Sequence, residues 1–328
     1  MPYHIRKSKP KLVDLFAGAG LFSHAFVKEG FDLVYAIELD RTAAATFTLN
    51  HRIEANVGDV RRVDPISIAD VIIAGPPCQG FSSLGNRDPQ DPRNLLSLEV
   101  LRWTRTTRPT VVVIENVVTF LDTPIWKKLE KGFQRLGYSV ARFALNAHDF
   151  GIPQLRIRSF TIASKRGTPV IRLPSRKGNQ TVRQAWQGLP PVPDGRNHHY
   201  APRPSPLALA RMHIIGEGGD KRDVIEKAPH LSAPSWKHLS QEATDVWGRM
   251  EWDKPSNTLR TCFQNPSKGR YIHPEQHRVI SLREAARLHS IEDGWSFAGS
   301  PTQIARQIGN SVPPLLGRAV ARAVIQLL

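Results

Sequence analysis

The chain has only two cysteines, Cys78 and Cys262, in 328 residues. Two thiols make neither a disulfide framework nor a four-thiolate zinc site, so a reducing cytoplasm is the expected compartment. Long apolar runs are also missing. No stretch approaches the ~18–20 uncharged apolar residues of a transmembrane helix. The opening MPYHIRKSKPKLVDLF is basic but leads into no apolar core, so no secretory signal is expected. Internal repeats and low-complexity tracts are absent. Acidic residues are scarce, 29 against 45 Lys and Arg, for a net charge of +16. With 40% hydrophobic and 23% charged residues, the composition excludes a disordered chain. The length allows one large domain, or a large and a smaller one.

The positive charge points to a polyanionic partner, of which nucleic acid is the commonest. It is concentrated. Residues 151–225 hold 13 basic and 4 acidic residues, more than half of the surplus in under a quarter of the chain. Such a segment suits phosphate contact better than a uniformly basic surface does.

Up to about residue 165, apolar runs alternate with helix-like stretches. KLVDLF (11–16), DLVYAIELD (32–40), VIIAG (71–75) and VVVIENV (111–117) read as strands, the last two β-branched and buried. LFSHAFVKEG (21–30) reads as a helix closed by Gly30, and RTAAATFTLNH as another. A further helix carries Leu95, Leu98, Val100 and Leu101. The alternation predicts an α/β fold with a mixed, mostly parallel, Rossmann-like sheet covered by helices. Beyond 165, Pro and Gly become frequent and periodicity fades. Residues 166–275 read as a smaller, loop-rich domain. In it, His198 and His199 lack Cys or carboxylate neighbours at ligand spacing, so no metal is expected. Order returns at SLREAARLHSI (281–291), with Ser281 as cap and Glu284 closing a capping box. A last helix is opened by Pro313-Pro314. The expected division is 1–165 with 276–328 as one domain and 166–275 as the other.

Several short segments carry chemistry. Asp14-Leu-Phe16-Ala-Gly18-Ala-Gly20 places glycines between a strand and a helix, where backbone can approach a ligand. Glu38 ends the next strand, where a carboxylate can bind ribose hydroxyls. The third glycine of a dinucleotide fingerprint is replaced by Ser23, which favours a nucleoside ligand without phosphates. Gly75-Pro76-Pro77-Cys78-Gln79-Gly80-Phe81-Ser82 follows a buried strand. The prolines shape a loop rather than a packed core, so Cys78 reads as a nucleophile rather than a buried structural thiol. Glu115 ends another buried strand. Desolvation would favour its protonated form, and the alternative is a salt bridge to an arginine. Gln154, Arg156 and Arg158 alternate at period two, so on a strand they share one face, and two arginines there want an anion or an oxygen-rich ligand. Asn310 lies in a tight turn, GNSVPP (309–314), and as a turn residue has a structural reading too.

In order along residues 12 to about 320, these segments resemble the DNA cytosine-5 methyltransferase family. DLFAGAG resembles its first motif, VYAIELD its second, GDV (58–60) its third and GPPCQGFSS its fourth. RNLLSLEVLRW resembles the fifth, ENV the sixth, QLRIRSF the eighth, RVISLREAARLHSIEDG the ninth and QIGNSVPP the tenth. GPPCQGFS with ENV and QxRxR is highly specific.

The resemblance implies an S-adenosylmethionine-dependent enzyme, with double-stranded DNA as substrate and no metal. Cys78 would attack C6 of cytosine, Glu115 would protonate or hydrogen-bond N3, and Arg156 and Arg158 would hold the base. Phe16, Gly18, Gly20, Glu38, Asp59, Pro76, Leu95, Asn310 and Val312 would line the cofactor site, Glu38 on the ribose and Asp59 on the adenine amino group. A base inside a duplex must be flipped out, at a cost of a few kcal/mol. Gln79, Ser82 and Arg93, in or beside the polar loop SSLGNRDPQDPRN, would contact DNA, and 166–275 would recognise the target. A monomer is expected, located with DNA in a bacterial cytoplasm, with a cognate restriction endonuclease as the usual companion. Transfer RNA is the alternative substrate. The tRNA-acting branch departs in the fourth motif, where this chain keeps Gly80, and Cys262-Phe263-Gln264 only partly echoes its Cys-Phe-Thr element. Intact Cys78, Glu115, Arg156 and Arg158 argue against an inactive binding module, and the broken glycine fingerprint against a nicotinamide dehydrogenase.

Overall fold

The structure is a computed structural model that describes residues 8–77, 92–174, 180–238 and 245–328. Its strands are β1 (Lys11–Leu15), β2 (Asp32–Glu38), β3 (Asn56–Val57), β4 (Val71–Ala74), β5 (Val111–Asn116), β6 (Ser139–Asn146) and β7 (Ile157–Ser164). They form one sheet in the order β3-β2-β1-β4-β5-β7-β6. The first five of that order run parallel, and β7 is antiparallel to both β5 and β6. The central strands β4 and β5 are buried along their whole length, as their uninterrupted β-branched sequences require.

Helices α1 (Leu21–Lys28), α2 (Arg41–Asn50), α3 (Glu99–Thr107) and α4 (Pro124–Arg135) alternate with the strands. The Asp40 side chain caps α2 by accepting from the Thr42 and Ala43 amides. Two features differ from the sequence reading. Residues 92–98 form a 3-10 segment, and α3 starts only at Glu99. Strand β6 has no apolar run to announce it, because it is an edge strand with no fully buried residue.

The chain divides into two compact units. One comprises Met1–Asn146, Ile157–Leu173 and Pro314–Leu328, and the other Ala147–Arg156 and Pro174–Pro313. The second unit contains the short parallel pair β8 (Gly248–Arg249) and β9 (Arg270–Ile272). Its helices are α5 (Val182–Ala185), α6 (Pro206–Ile214), α7 (Lys221–Lys227), α8 (Leu282–Leu288) and α9 (Pro301–Asn310). The sequence reading grouped 276–313 with the first part of the chain; in the structure these residues cluster with the second unit. Helix α8 carries the expected capping box between Ser281 and Glu284. The final helix α10 (Pro314–Ile325) packs on α1 within the first unit.

The second unit has a small apolar core of Met212, Ile215, Val224, Trp236, Trp247, Ile272 and Val279. Buried arginines extend it. Arg249 is 2% exposed and donates to the carbonyls of Met212, Ile215, His273 and Gln276. Burial holds its guanidinium down at about 10. Arg283 similarly holds Asn197, Glu292 and Trp295 carbonyls. In a loop-rich unit these side chains satisfy carbonyls that no sheet or helix ladder reaches.

Candidate active site

Strand register builds the site. Leu15 pairs with Ile37 on one side and Ala74 on the other, and Ala74 pairs with Ile114. The next residue of each parallel strand therefore falls in one row at the carboxyl edge: Glu38, Phe16, Gly75 and Glu115. This edge is where open α/β sheets bind ligands. The row is tight. A Cβ on Gly75 would lie 3.9 Å from Glu115 Oε2 and 4.0 Å from the Phe16 carbonyl. Because β7 runs antiparallel, its first residues reach the same edge, and Arg158 Nε lies 3.4 Å from Glu115 Oε1. Asn116 Nδ2 donates to the Pro76 carbonyl at 3.3 Å, tying the turn after β4 to the end of β5. Cys78, Gln79 and Ser82, and the side chain of Arg93, lie outside the described residues.

The glycine turn is shaped around Glu38. Its Oε2 accepts from the Gly18 amide at 2.7 Å and its Oε1 from the Asp40 amide at 2.8 Å. Burial raises the Glu38 pKa, and these backbone donors oppose the rise. Gly18 has φ +55°, and nothing lies within 4 Å of where a Cβ would stand. Gly20 has φ +84°, but a Cβ there would sit 2.7 Å from His51 Nε2 and 2.8 Å from the Phe47 ring. One glycine faces open space, and the other is required by packing. Phe16 adopts φ +63°, a left-handed conformation that costs a bulky residue about 1–3 kcal/mol and clusters at functional sites. Beneath the turn, Asp14 is fully buried and accepts from Ser23 Oγ at 2.5 Å. Burial pushes its carboxyl up to about 8, against the Ser23 bond and with a smaller push from Glu38.

The remaining candidates are placed as follows. Asp59 caps a short turn and is held by the Arg61 guanidinium, which takes its carboxyl down to about 2. Pro76 is buried, whereas Leu95 is 54% exposed. Asn310 is exposed at the end of α9, and Val312 is buried, both in the second unit.

The expectation that Gln154, Arg156 and Arg158 share one strand face is corrected. Strand β7 starts at Ile157, so only Arg158 lies on it. Gln154 and Arg156 belong to the second unit and are 0% and 1% exposed. Arg156 Nη1 donates to the Leu259 carbonyl, and Nη2 to those of Gly309 and Ser311, at 3.0–3.1 Å. Its guanidinium thus holds three backbone carbonyls. His199 uses both ring nitrogens, on Ser281 Oγ and the Pro190 carbonyl. Sequence reasoning missed the roles of Asn116 and of the Asp14–Ser23 pair. It quoted Asn116 and Asp14 within their motifs, but only register shows what they face. It also passed over Leu39, an apolar residue between two carboxylates that is 68% exposed beside Glu38.

A seven-stranded sheet with one reversed strand, and a glycine-and-carboxylate edge lacking the pyrophosphate fingerprint, defines the class: an α/β methyltransferase fold. A DNA modification methyltransferase encoded within an E. coli prophage superposes with TM-score 0.71 at 25% identity, covering 97% of this chain and 99% of that one. The profile of C-5 cytosine-specific DNA methylases matches residues 10–326, and the chain belongs to that family. It is a DNA (cytosine-5-)-methyltransferase. The chain is 34% identical to the Type II methyltransferase M1.HphI of Haemophilus parahaemolyticus, over 96% of this chain and 86% of that protein. It is 32% identical to M.DdeI of Desulfomicrobium norvegicum, over 95% and 88%. The Entamoeba histolytica methyltransferase EhMeth shares the fold, with TM-score 0.72 at 16% identity over 98% and 99%.

Proposed function

We propose that the chain uses S-adenosylmethionine to methylate C5 of one cytosine within a short, specific sequence of double-stranded DNA, as a modification enzyme of restriction–modification type. The observation that carries this reading is the row Glu38, Phe16, Gly75 and Glu115, with Arg158 against Glu115. The residues suit the cofactor: a Cβ on Gly18 would point into open space that a ligand could take, and Glu38 accepts from the Gly18 amide beside it, placed for the ribose hydroxyls. Phe16, Gly20, Asp59, Pro76, Leu95, Asn310 and Val312 complete the proposed contacts. S-adenosylmethionine supplies an electrophilic methyl group on a sulfonium.

The chain's own residues prepare the base. Cytosine C5 is a poor nucleophile while the ring is aromatic. Cys78, three residues beyond Gly75, adds as thiolate to C6, forming an S–C6 bond and making C5 enamine-like. Glu115 delivers a proton or hydrogen bond to N3, where negative charge develops, and Arg158 orients that carboxyl. After methylation, loss of the C5 proton to water, return of any N3 proton to Glu115 and departure of the Cys78 thiolate restore the ring. The base is reached by flipping, Gln79, Ser82 and Arg93 contact the DNA, and residues of 166–275 read the target. The protein acts as a monomer, with a cognate endonuclease encoded alongside.

The test is base-resolution mapping of 5-methylcytosine after incubating the protein with S-adenosylmethionine and unmethylated genomic DNA. One short recurring methylated motif is expected. No methylation above the no-cofactor control would overturn the DNA assignment, and the same assay on RNA would then be run. Cys78→Ala is expected to abolish transfer and keep DNA binding, and Glu115→Gln to slow it by about 10²–10⁴-fold.

A further inference from the structure

Arg156 sits where α9 ends. The last carbonyls of a helix lack intrahelical partners and carry the negative end of its dipole. Arg156 donates to one such carbonyl, that of Gly309 at 3.0 Å, and to that of Ser311, the extended residue just past the helix, at 3.1 Å. These carbonyls flank Asn310 on either side. The Ser311 carbonyl receives a second bond, from His289 Nε2 at 2.9 Å. His289 is 0% exposed, and its Nδ1 lies 3.0 Å from the Gln154 amide nitrogen. An amide nitrogen only donates, so Nδ1 is the acceptor and Nε2 carries the proton. The Gln154 orientation is set in turn: its Oε1 accepts from the Leu259 amide and its Nε2 also donates to the Leu288 carbonyl. Arg156 closes the circuit through the Leu259 carbonyl at 3.1 Å. Gly309 lets the turn approach closely, since a Cβ there would come within 2.6 Å of the Arg260–Thr261 backbone. The backbone around Asn310 is thus held from both sides, while its side chain is exposed.

We infer that Arg156, His289 and Gln154 are positioning residues that preset Asn310 for the cofactor, and that Arg156 acts through this turn rather than on the base. The inference rests on the proposed role of Asn310 in cofactor binding. It treats the first arginine of the motif as a helix-end clamp, with Arg158 alone serving the reacting ring.

The test is a double-mutant cycle on cofactor affinity, measured by calorimetry with the full chain and S-adenosylmethionine in the absence of DNA. Arg156→Met and Asn310→Ala are each expected to weaken binding about tenfold, a change of about 1.4 kcal/mol. The double variant is expected to bind no more weakly than Asn310→Ala, because the clamp acts through that residue. Arg156→Lys keeps the charge without the fork and is expected to fall between. If Arg156→Met melts, His289 provides the second pair of variants. His289→Gln retains a donor toward Ser311 and should bind near the wild-type level, whereas His289→Ala should not. Additive losses, or unchanged affinity in folded Arg156 and His289 variants, would overturn the clamp. Full affinity in Asn310→Ala would overturn the role of the turn it presents. No binding by the wild type would overturn the cofactor reading itself, and the clamp with it.

Discussion

Asp14 shows how much one residue under the glycine turn contributes. Its carboxyl is pushed up from 3.8 to about 8, chiefly by burial. A carboxyl raised in the folded state binds a proton that the unfolded chain has already lost. Its stabilisation is therefore full below about pH 4 and disappears as pH rises toward about 8. Asp14→Asn is expected to flatten the fall in stability between those limits, as read by urea unfolding at several pH values. The two glycines above it should separate cleanly. Gly18→Ala meets open space, so its stability cost is the left-handed backbone alone, about 1–2 kcal/mol, while cofactor affinity falls steeply. Gly20→Ala adds a collision with His51 and Phe47 to the same strain and should cost about 2–4 kcal/mol. Thermal unfolding together with cofactor titration distinguishes them. The glycines were legible in sequence as a turn between a strand and a helix. Which one has open space and which is packed was not, because that depends on His51, 31 residues from Gly20.

Among the elements, the buried strands were the most legible, since β4 and β5 are continuous β-branched runs ending at Gly75 and Glu115. The motif around Arg156 was misread because period two is a property of a strand, and the strand starts one residue after it. The close of the chain is secured by α10 on α1. A Cβ on Gly317 would lie 2.7 Å from the Ala25 Cβ, and Glu29 pairs with Arg318 and Arg322. Packing outweighs charge here. Gly317→Leu is expected to cost about 2 kcal/mol or more by overpacking, whereas Glu29→Gln, losing partly exposed pairs, should cost about 1 kcal/mol or less. Denaturant midpoints of the two variants check the ranking.

At the scale of the molecule, the surplus of 16 positive charges overstates what is offered to a polyanion. Arg156 binds carbonyls, Arg183 pairs with Asp253, Arg211 lies over Trp236 and Trp247, and Arg222 pairs with Asp220. Arg172, Arg196 and Arg203 instead reach solvent. DNA affinity should fall with salt less steeply than the count of arginines suggests. Neutralising Arg172, Arg196 or Arg203 should lower the logarithmic slope by up to about 0.9 for each phosphate whose charge is no longer balanced. Arg249→Met should leave the phosphate count alone and cost at least about 2 kcal/mol, by stranding buried carbonyls. Binding isotherms across salt concentrations, paired with unfolding curves, separate the two kinds of arginine.

The amino-acid sequence by itself determined the alternating sheet, the glycine turn after its first strand, and the family, because each is written in short contiguous segments. Local chemistry sufficed there: β-branched runs make strands, and glycines make turns. Only the tertiary structure decided which side chains meet. Register set Glu38, Phe16, Gly75 and Glu115 in one row, and an antiparallel β7 brought Arg158 to it. Folding also turned Arg156 inward to the end of α9, more than 150 residues along the chain. An arginine's partner is chosen by which unsatisfied carbonyls or carboxylates the fold leaves within reach, and no local pattern records that.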